Sequence, residues 1–185
     1  MGINNYEVMY IQAKDNYPYN VEECIEKLQY VIAADDEHAG AHFLMGQIYE
    51  EQLHDYKQAE YYYRMTLYLD KEYIPVYAQY GRMLINRSRL EDANRIIEAG
   101  LKVPGIALAE LHSLQGFLYE RFEMYATAIE YYNKAKLHCL SSGFMCTMDD
   151  HIKRVKDKKA LQKKLNKPKE AEKKEKDKEK KKKAS

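Results

Sequence analysis

The 185 residues include no tryptophan, three cysteines, four prolines and eight glycines. Each scarcity removes a class of protein. Cys24, Cys139 and Cys146 are an odd number with no CxxC pairing, so neither a disulfide scaffold nor a zinc cluster fits. Reduced thiols buried as small apolar residues are expected instead. No window approaches the roughly 18 apolar residues of a membrane span. The N-terminal MGINNYEVMYIQAK also lacks the basic-then-apolar order of a secretory signal, so a cytoplasmic protein is expected. Gly2 follows Met1, but Tyr6 stands where a myristoylation signal needs Ser or Thr.

Catalytic signatures are missing too. The chain has no GxxxxGK[ST], GxSxG or HExxH and no glycine-rich loop between a strand and a helix. Among many carboxylates, Asp35 with Asp36 and Glu50 with Glu51 read as helix-end or solvated residues, and no acid and base pair stands out. His38 and His42 have a four-residue spacing that could share a metal. They straddle a joint in DDEHAGAH with no third ligand nearby, so no metal site and no cofactor are expected. An enzyme is not the expected reading.

Net charge is scarce as well, at +1 from 30 Lys and Arg against 29 Asp and Glu, but the total conceals a split. From His151 onward 17 basic residues face 6 acidic ones. That leaves +11 there and −10 over the first 150 residues. An acidic body carries a basic tail.

What the chain has in quantity is tyrosine, 18 in all, three of them consecutive in DYKQAEYYYRMTLYLD (55–70). Neighbours on an α-helix stand about 100° apart, so Tyr61, Tyr62 and Tyr63 fan across roughly 200° and cannot share one partner. That helix must be contacted on more than one side. Self-comparison supplies the context. Gly46, Gly81 and Gly116 recur at a step of 35, and Cys24, Ala59, Ala93 and Ala128 at steps of 35, 34 and 35. The glycines lie in AHFLMGQIYEEQ, VYAQYGRMLINR and LHSLQGFLYERF, and the alanines in DYKQAEYYYRMTLYLD, LEDANRIIEAGLK and YATAIEYYNKAKLH. Both sets carry apolar residues at i, i+3, i+4 and i+7, so each unit is a pair of helices joined by short polar turns.

These units resemble tetratricopeptide repeats, helix-turn-helix units of about 34 residues with a small residue late in the first helix and Ala, aromatic, Ala down the second. Gly46, Tyr49, Tyr56, Ala59, Tyr63 and Thr66 follow that pattern, as do Leu111, Gly116, Tyr119, Tyr125, Ala128, Tyr132 and Ala135. The third unit has Leu84 and Ile97 where aromatics are usual, and the first lacks the glycine of its first helix.

The resemblance implies an all-α, right-handed solenoid of about four helix pairs, near 6–36, 39–71, 74–104 and 107–140, within an array over 1–143. A capping helix is expected over 144–166, ended by Pro168, and a disordered Lys/Glu-rich tail over 167–185. In such arrays partners lie in the concave groove lined by the first helices. Carried onto this chain, that groove presents Phe43, Gln47, Glu50, Glu51, Gln79, Arg82, Asn86, Phe117, Glu120 and Arg121 to a protein or peptide partner. The Lys and Asn pair of chaperone-tail binders is absent from the matching positions. A different expectation attaches to the tail, where Lys173, Lys174, Lys180, Lys181, Lys182 and Lys183 could hold phosphate of nucleic acid or an anionic surface without sequence preference. No aromatic interleaves them, so bases would find nothing to stack on.

Overall fold

A computed structural model describes residues 4–183, with side chains over 4–166. Every regular element among them is an α-helix, and the chain forms two compact units, Met1–Ala107 and Leu108–Ser185. The first unit holds α1 (Asn5–Asn16), α2 (Val21–Ala34), α3 (Ala39–Glu51), α4 (Tyr56–Leu69), α5 (Ile74–Asn86) and α6 (Leu90–Gly100), packed as consecutive pairs.

Local chemistry marks the joints. Asp55 caps α4 by accepting the N–H groups of Lys57 and Gln58 at 3.2 and 3.1 Å, which satisfies donors the helix cannot. Pro75 opens α5, where a missing N–H is harmless. Asp35 and Asp70, one repeat apart, each fold back to accept the N–H two residues on, from Glu37 at 3.2 Å and Glu72 at 2.8 Å. The same side-chain turn therefore links one pair to the next.

Turns inside the pairs share a different device. His54, Ser88 and Glu123 occupy the same place in three repeats, and each has positive φ, at 54°, 60° and 59°. A side chain there crowds its own carbonyl, at a cost of about 1 kcal/mol that glycine would not bear. Glu123→Gly is therefore expected to stabilise the second unit by about 0.5 to 1 kcal/mol, read as a raised melting temperature in circular dichroism. An unchanged or lowered midpoint would show that the turn is not strained.

The three consecutive tyrosines of α4 divide as their spacing requires. Tyr63 is fully buried, its ring lying over Gly46, where a Cβ would come within 2.7 Å of it. Tyr62 stacks on Tyr49 of α3 with centroids 5.4 Å apart and joins the core of Ala13, Cys24, Leu28, Val31, Ala41, Leu44, Met45 and Ile48. Tyr61 meets Tyr62 edge-on and stays 54% exposed. Cys24 fits the expectation for a buried thiol, with Sγ–H donating to the Ala13 carbonyl at 3.2 Å. Cys146 does not, because it stands on the solvent side of its helix, away from the buried stripe.

The second unit holds α7 (Leu108–Arg121), α8 (Tyr125–Leu137) and α9 (Ser142–Lys183). Tyr132 covers Gly116 as Tyr63 covers Gly46, with a Cβ there only 2.6 Å from the ring. Met148, Ile152 and Val155 of α9 recur at helical spacing and close over Ala128, Tyr132 and Ala135. The helical backbone of α9 runs to Lys183, past Pro168, where the sequence pattern ends it. One proline in a helix interior costs about 3 kcal/mol, set against flanking Lys, Glu and Ala, all strong helix formers. The side chains of the expected tail, including Lys173, Lys174 and Lys180 to Lys183, lie outside the described residues. Among those described, no helix is long and apolar enough to cross a membrane.

Candidate functional site

In the first unit, α3 and α5 form a polar wall. Gln79 of α5 donates from Nε2 to Glu51 Oε1 at 2.8 Å and to Glu50 Oε2 at 3.2 Å. From the other side the hydroxyl of Tyr17, at the end of α1, donates to Glu51 Oε2. Tyr63 of α4 donates to Glu50 Oε2 at 2.6 Å. Two adjacent carboxylates thus tie four helices together.

Their neighbours tune them differently. Burial pushes the Glu50 carboxyl above its usual range, although the bonds from Tyr63 and Gln79 and the charge of Arg82 pull it back. The Tyr63 phenol is pushed far up by burial and by Glu50. Glu51, Arg82 and Asn86 are exposed, while Gln47 and Gln79 are half-buried. The surface therefore offers fixed acceptors beside a guanidinium and three amides. Carboxylates, guanidinium and amides of this kind have the donors and acceptors to hydrogen-bond peptide backbone and polar side chains.

Phe43, expected as an apolar anchor, is only 9% exposed. Its ring lies 5.2 Å from that of Tyr73 and 5.9 Å from that of Tyr63. It holds the core because the joint to the next pair, which contains Tyr73, folds over it.

In the second unit Phe117 is half-buried and Arg121 exposed, but Glu120, expected at a groove, is buried. It accepts from Arg154 Nη2 at 2.7 Å, Arg154 Nε at 3.0 Å, Lys158 Nζ at 2.7 Å and Tyr132 Oη at 3.2 Å. Arg154 and Lys158, one turn apart on α9, have taken the place a partner would need. Burial alone would raise the Glu120 carboxyl, but the two cations outweigh it and hold it at about 2.

A folded-state value below the ordinary 4.5 gives a stabilisation that is present in full above 4.5. The contribution drains away as pH falls from about 4.5 to about 2, and it amounts to roughly 3 kcal/mol. Acid titration should show the second unit weakening through that window, and Glu120→Gln should flatten the slope. The same slope in parent and variant would remove Glu120 as its source.

His38 and His42 do not converge. His38 caps α3, accepting the Ala41 N–H on Nδ1 at 2.9 Å, whereas His42 Nε2 lies 2.9 Å from the Asp36 carbonyl oxygen. Among the described residues no three His, Cys, Asp or Glu side chains gather where a metal could bind.

Sequence reasoning missed Tyr17, Arg154 and Lys158, yet a signal for the glutamates was present. Glu50 and Glu120 each stand four residues after a ladder glycine, and Tyr63 and Tyr132 each stand four after a ladder alanine. In the intervening repeat the same two positions are Ile85 and Ile97, both fully buried. The position exchanges a hydrogen-bonded pair for an apolar one.

No family model and no curated protein matches the sequence. Solved structures do match in shape. The chain is similar to pilF of Pseudomonas aeruginosa, at 17% identity and a TM-score of 0.74, over 84% of this chain and 69% of that one. It is also similar to TTC0263, a thermophilic TPR protein of Thermus thermophilus, at 16% identity and a TM-score of 0.67, over 80% and 82% of the two chains. A third is MamA of Desulfovibrio magneticus RS-1, at 18% identity and a TM-score of 0.62, over 87% and 99%. At such identities the likeness is one of fold, and that fold is the tetratricopeptide repeat.

Proposed function

We propose that this chain of tetratricopeptide-repeat fold is a non-enzymatic protein-binding module, and that its first unit receives a partner peptide or helix along α3 and α5. The observation that supports this most directly is the ladder Tyr17, Glu51, Gln79, Glu50. It immobilises the polar side chains of that wall before any partner arrives, and side chains already fixed lose less entropy on binding. Gln47, Glu50, Glu51, Gln79, Arg82 and Asn86 form the contact surface, and Phe117 and Arg121 offer a smaller one on the second unit. Phe43 and Glu120 support the fold instead. α9 closes the second unit over Ser142–Asn166.

Photocrosslinkers placed singly at Asn86 and at Glu91, an outward residue of α6, test the reading. A specific partner should be trapped from Asn86 and not from Glu91. Glu51→Lys should reduce its capture by roughly tenfold, the equivalent of 1.4 kcal/mol, with unchanged circular dichroism. Equal trapping from both positions, or capture indifferent to Glu51→Lys, would move the site elsewhere.

A further inference from the structure

The geometry points to a second docking surface, on the outer stripe of α4, that takes an acidic amphipathic helix of a partner protein. Lys57, Tyr61, Arg64 and Tyr68 follow one another at steps of four, three and four, so they stand in a straight line along the helix. Cation and aromatic alternate along that line. With Met65 and Glu60 they line an open cleft of about 580 Å³.

The helix that hides Tyr63 completely leaves Tyr61 54% and Tyr68 77% exposed. Single exposed rings are ordinary, but Tyr61, Met65 and Tyr68 stand at steps of four and three along one face of α4, and a contiguous apolar strip of that kind is what a partner covers. Tyr61 is moreover held edge-on against the ring of Tyr62, 5.2 Å away, so it is set in place beforehand.

Charge decides what the occupant must carry. Glu60 is the only carboxylate among the lining residues, and it is turned aside. Arg89 forms an ion pair with it, and the Tyr80 hydroxyl donates to it at 3.0 Å. Among the described residues Lys57 and Arg64 have no ion-pair partner. Seven residues of helix separate them, about 10 Å along the axis.

The complement is a helix with Asp or Glu at i and i+7 and Leu or Phe at i+3 and i+4. Its carboxylates reach the two cations while its apolar stripe lies on Tyr61, Met65 and Tyr68. Single-stranded nucleic acid could use the same rings, but two cations neutralise only two phosphates, and Met65 gives a base nothing to stack on. The surface shares no residue with the wall of α3 and α5, so the two sites stand or fall separately.

A fluorescein-labelled helical peptide of about 18 residues, with Glu at i and i+7 and Leu at i+3 and i+4 in an Ala and Gln background, tests the proposal by anisotropy against the full chain. Saturable binding is expected, roughly tenfold tighter than for the same peptide with Lys in place of both Glu. Tyr61→Ser with Tyr68→Ser should weaken it by roughly tenfold without altering circular dichroism, since both side chains already face water. Lys57→Glu with Arg64→Glu should reverse the preference toward the Lys peptide, and Glu51→Lys should change nothing.

Equal affinity for the two peptides, no binding up to about 1 mM, or indifference to the tyrosine pair would overturn the proposal. Tighter binding of an oligouridylate with the same tyrosine dependence would assign the stripe to nucleic acid instead. Self-association in sedimentation that the tyrosine variant abolishes would assign it to a second copy. Either of those results also overturns it.

Discussion

A chain ending at Leu140 is expected to lose the cooperative melting of its second unit and to associate in solution. α9 contributes Met148, Ile152 and Val155, 2%, 6% and 0% exposed, to the cluster over Ala128, Tyr132 and Ala135. Each buried side chain of this size is worth about 1.5 to 3 kcal/mol, so the three together approach the whole stability of an ordinary domain. Their loss would also expose the apolar face of α8 to other molecules.

The same cut removes Arg154 and Lys158 and leaves Glu120 without either cation. A chain ending at Asn166 keeps every one of these groups and should melt like the parent. Thermal unfolding and sedimentation of the two truncations make the comparison, with Val155→Asp as a point variant that should resemble the shorter one. Similar melting and monodispersity for both truncations would show that α9 closes nothing.

Tyr63→Ala is expected to cost the first unit about 3 to 5 kcal/mol, as deletion of a buried aromatic ring does. Gly46→Ala should cost about 1 to 3 kcal/mol by overpacking, because the new methyl would meet the side of the Tyr63 ring at 2.7 Å. That ring has little freedom to yield, being buried with its hydroxyl on Glu50.

The two substitutions combined should cost less than their sum by at least about 1 kcal/mol, since the methyl then enters space the ring has vacated. Tyr63→Phe keeps the ring and removes one donor from Glu50, for about 1 to 2 kcal/mol. Urea denaturation of all four variants measures these differences. Strict additivity would mean that ring and glycine do not share one space.

Much of the architecture was legible because a repeat states the same constraint several times. Gly46 and Gly116 each lie under a tyrosine ring, and small residues at one register are the visible trace of that close approach. The fan of Tyr61, Tyr62 and Tyr63 followed from helical geometry alone.

The candidate surface was harder to read, for two physical reasons. Phe43 lies on the first helix of its pair, where a groove residue belongs, but its exposure depends on a joint whose path no periodicity specifies. Tyr73 of that joint covers it. Glu120 looks like any solvated carboxylate until α9 is laid across it, and the spacing of Arg154 and Lys158 does not say which acid they will meet. The Ile85 and Ile97 exchange was visible beside Glu50 with Tyr63 and Glu120 with Tyr132. Reading it required treating two positions in different helices as one.

The bonds that tie tyrosines to carboxylates also give the molecule a built-in indicator of its own unfolding. The phenols of Tyr17, Tyr63, Tyr73, Tyr80 and Tyr132 are all pushed above the usual tyrosine range, by burial first and then by acceptors such as Glu51, Glu50, Glu60 and Glu120. A group held protonated in the fold leaves stability intact below its ordinary value of 10.0 and withdraws it in alkali, where the opened chain releases protons that the closed one retains. With no tryptophan to obscure the near-ultraviolet band, tyrosinate absorption from the buried rings of Tyr63, Tyr80 and Tyr132 should grow as the helices part. That share of the absorption should therefore arrive with the collapse.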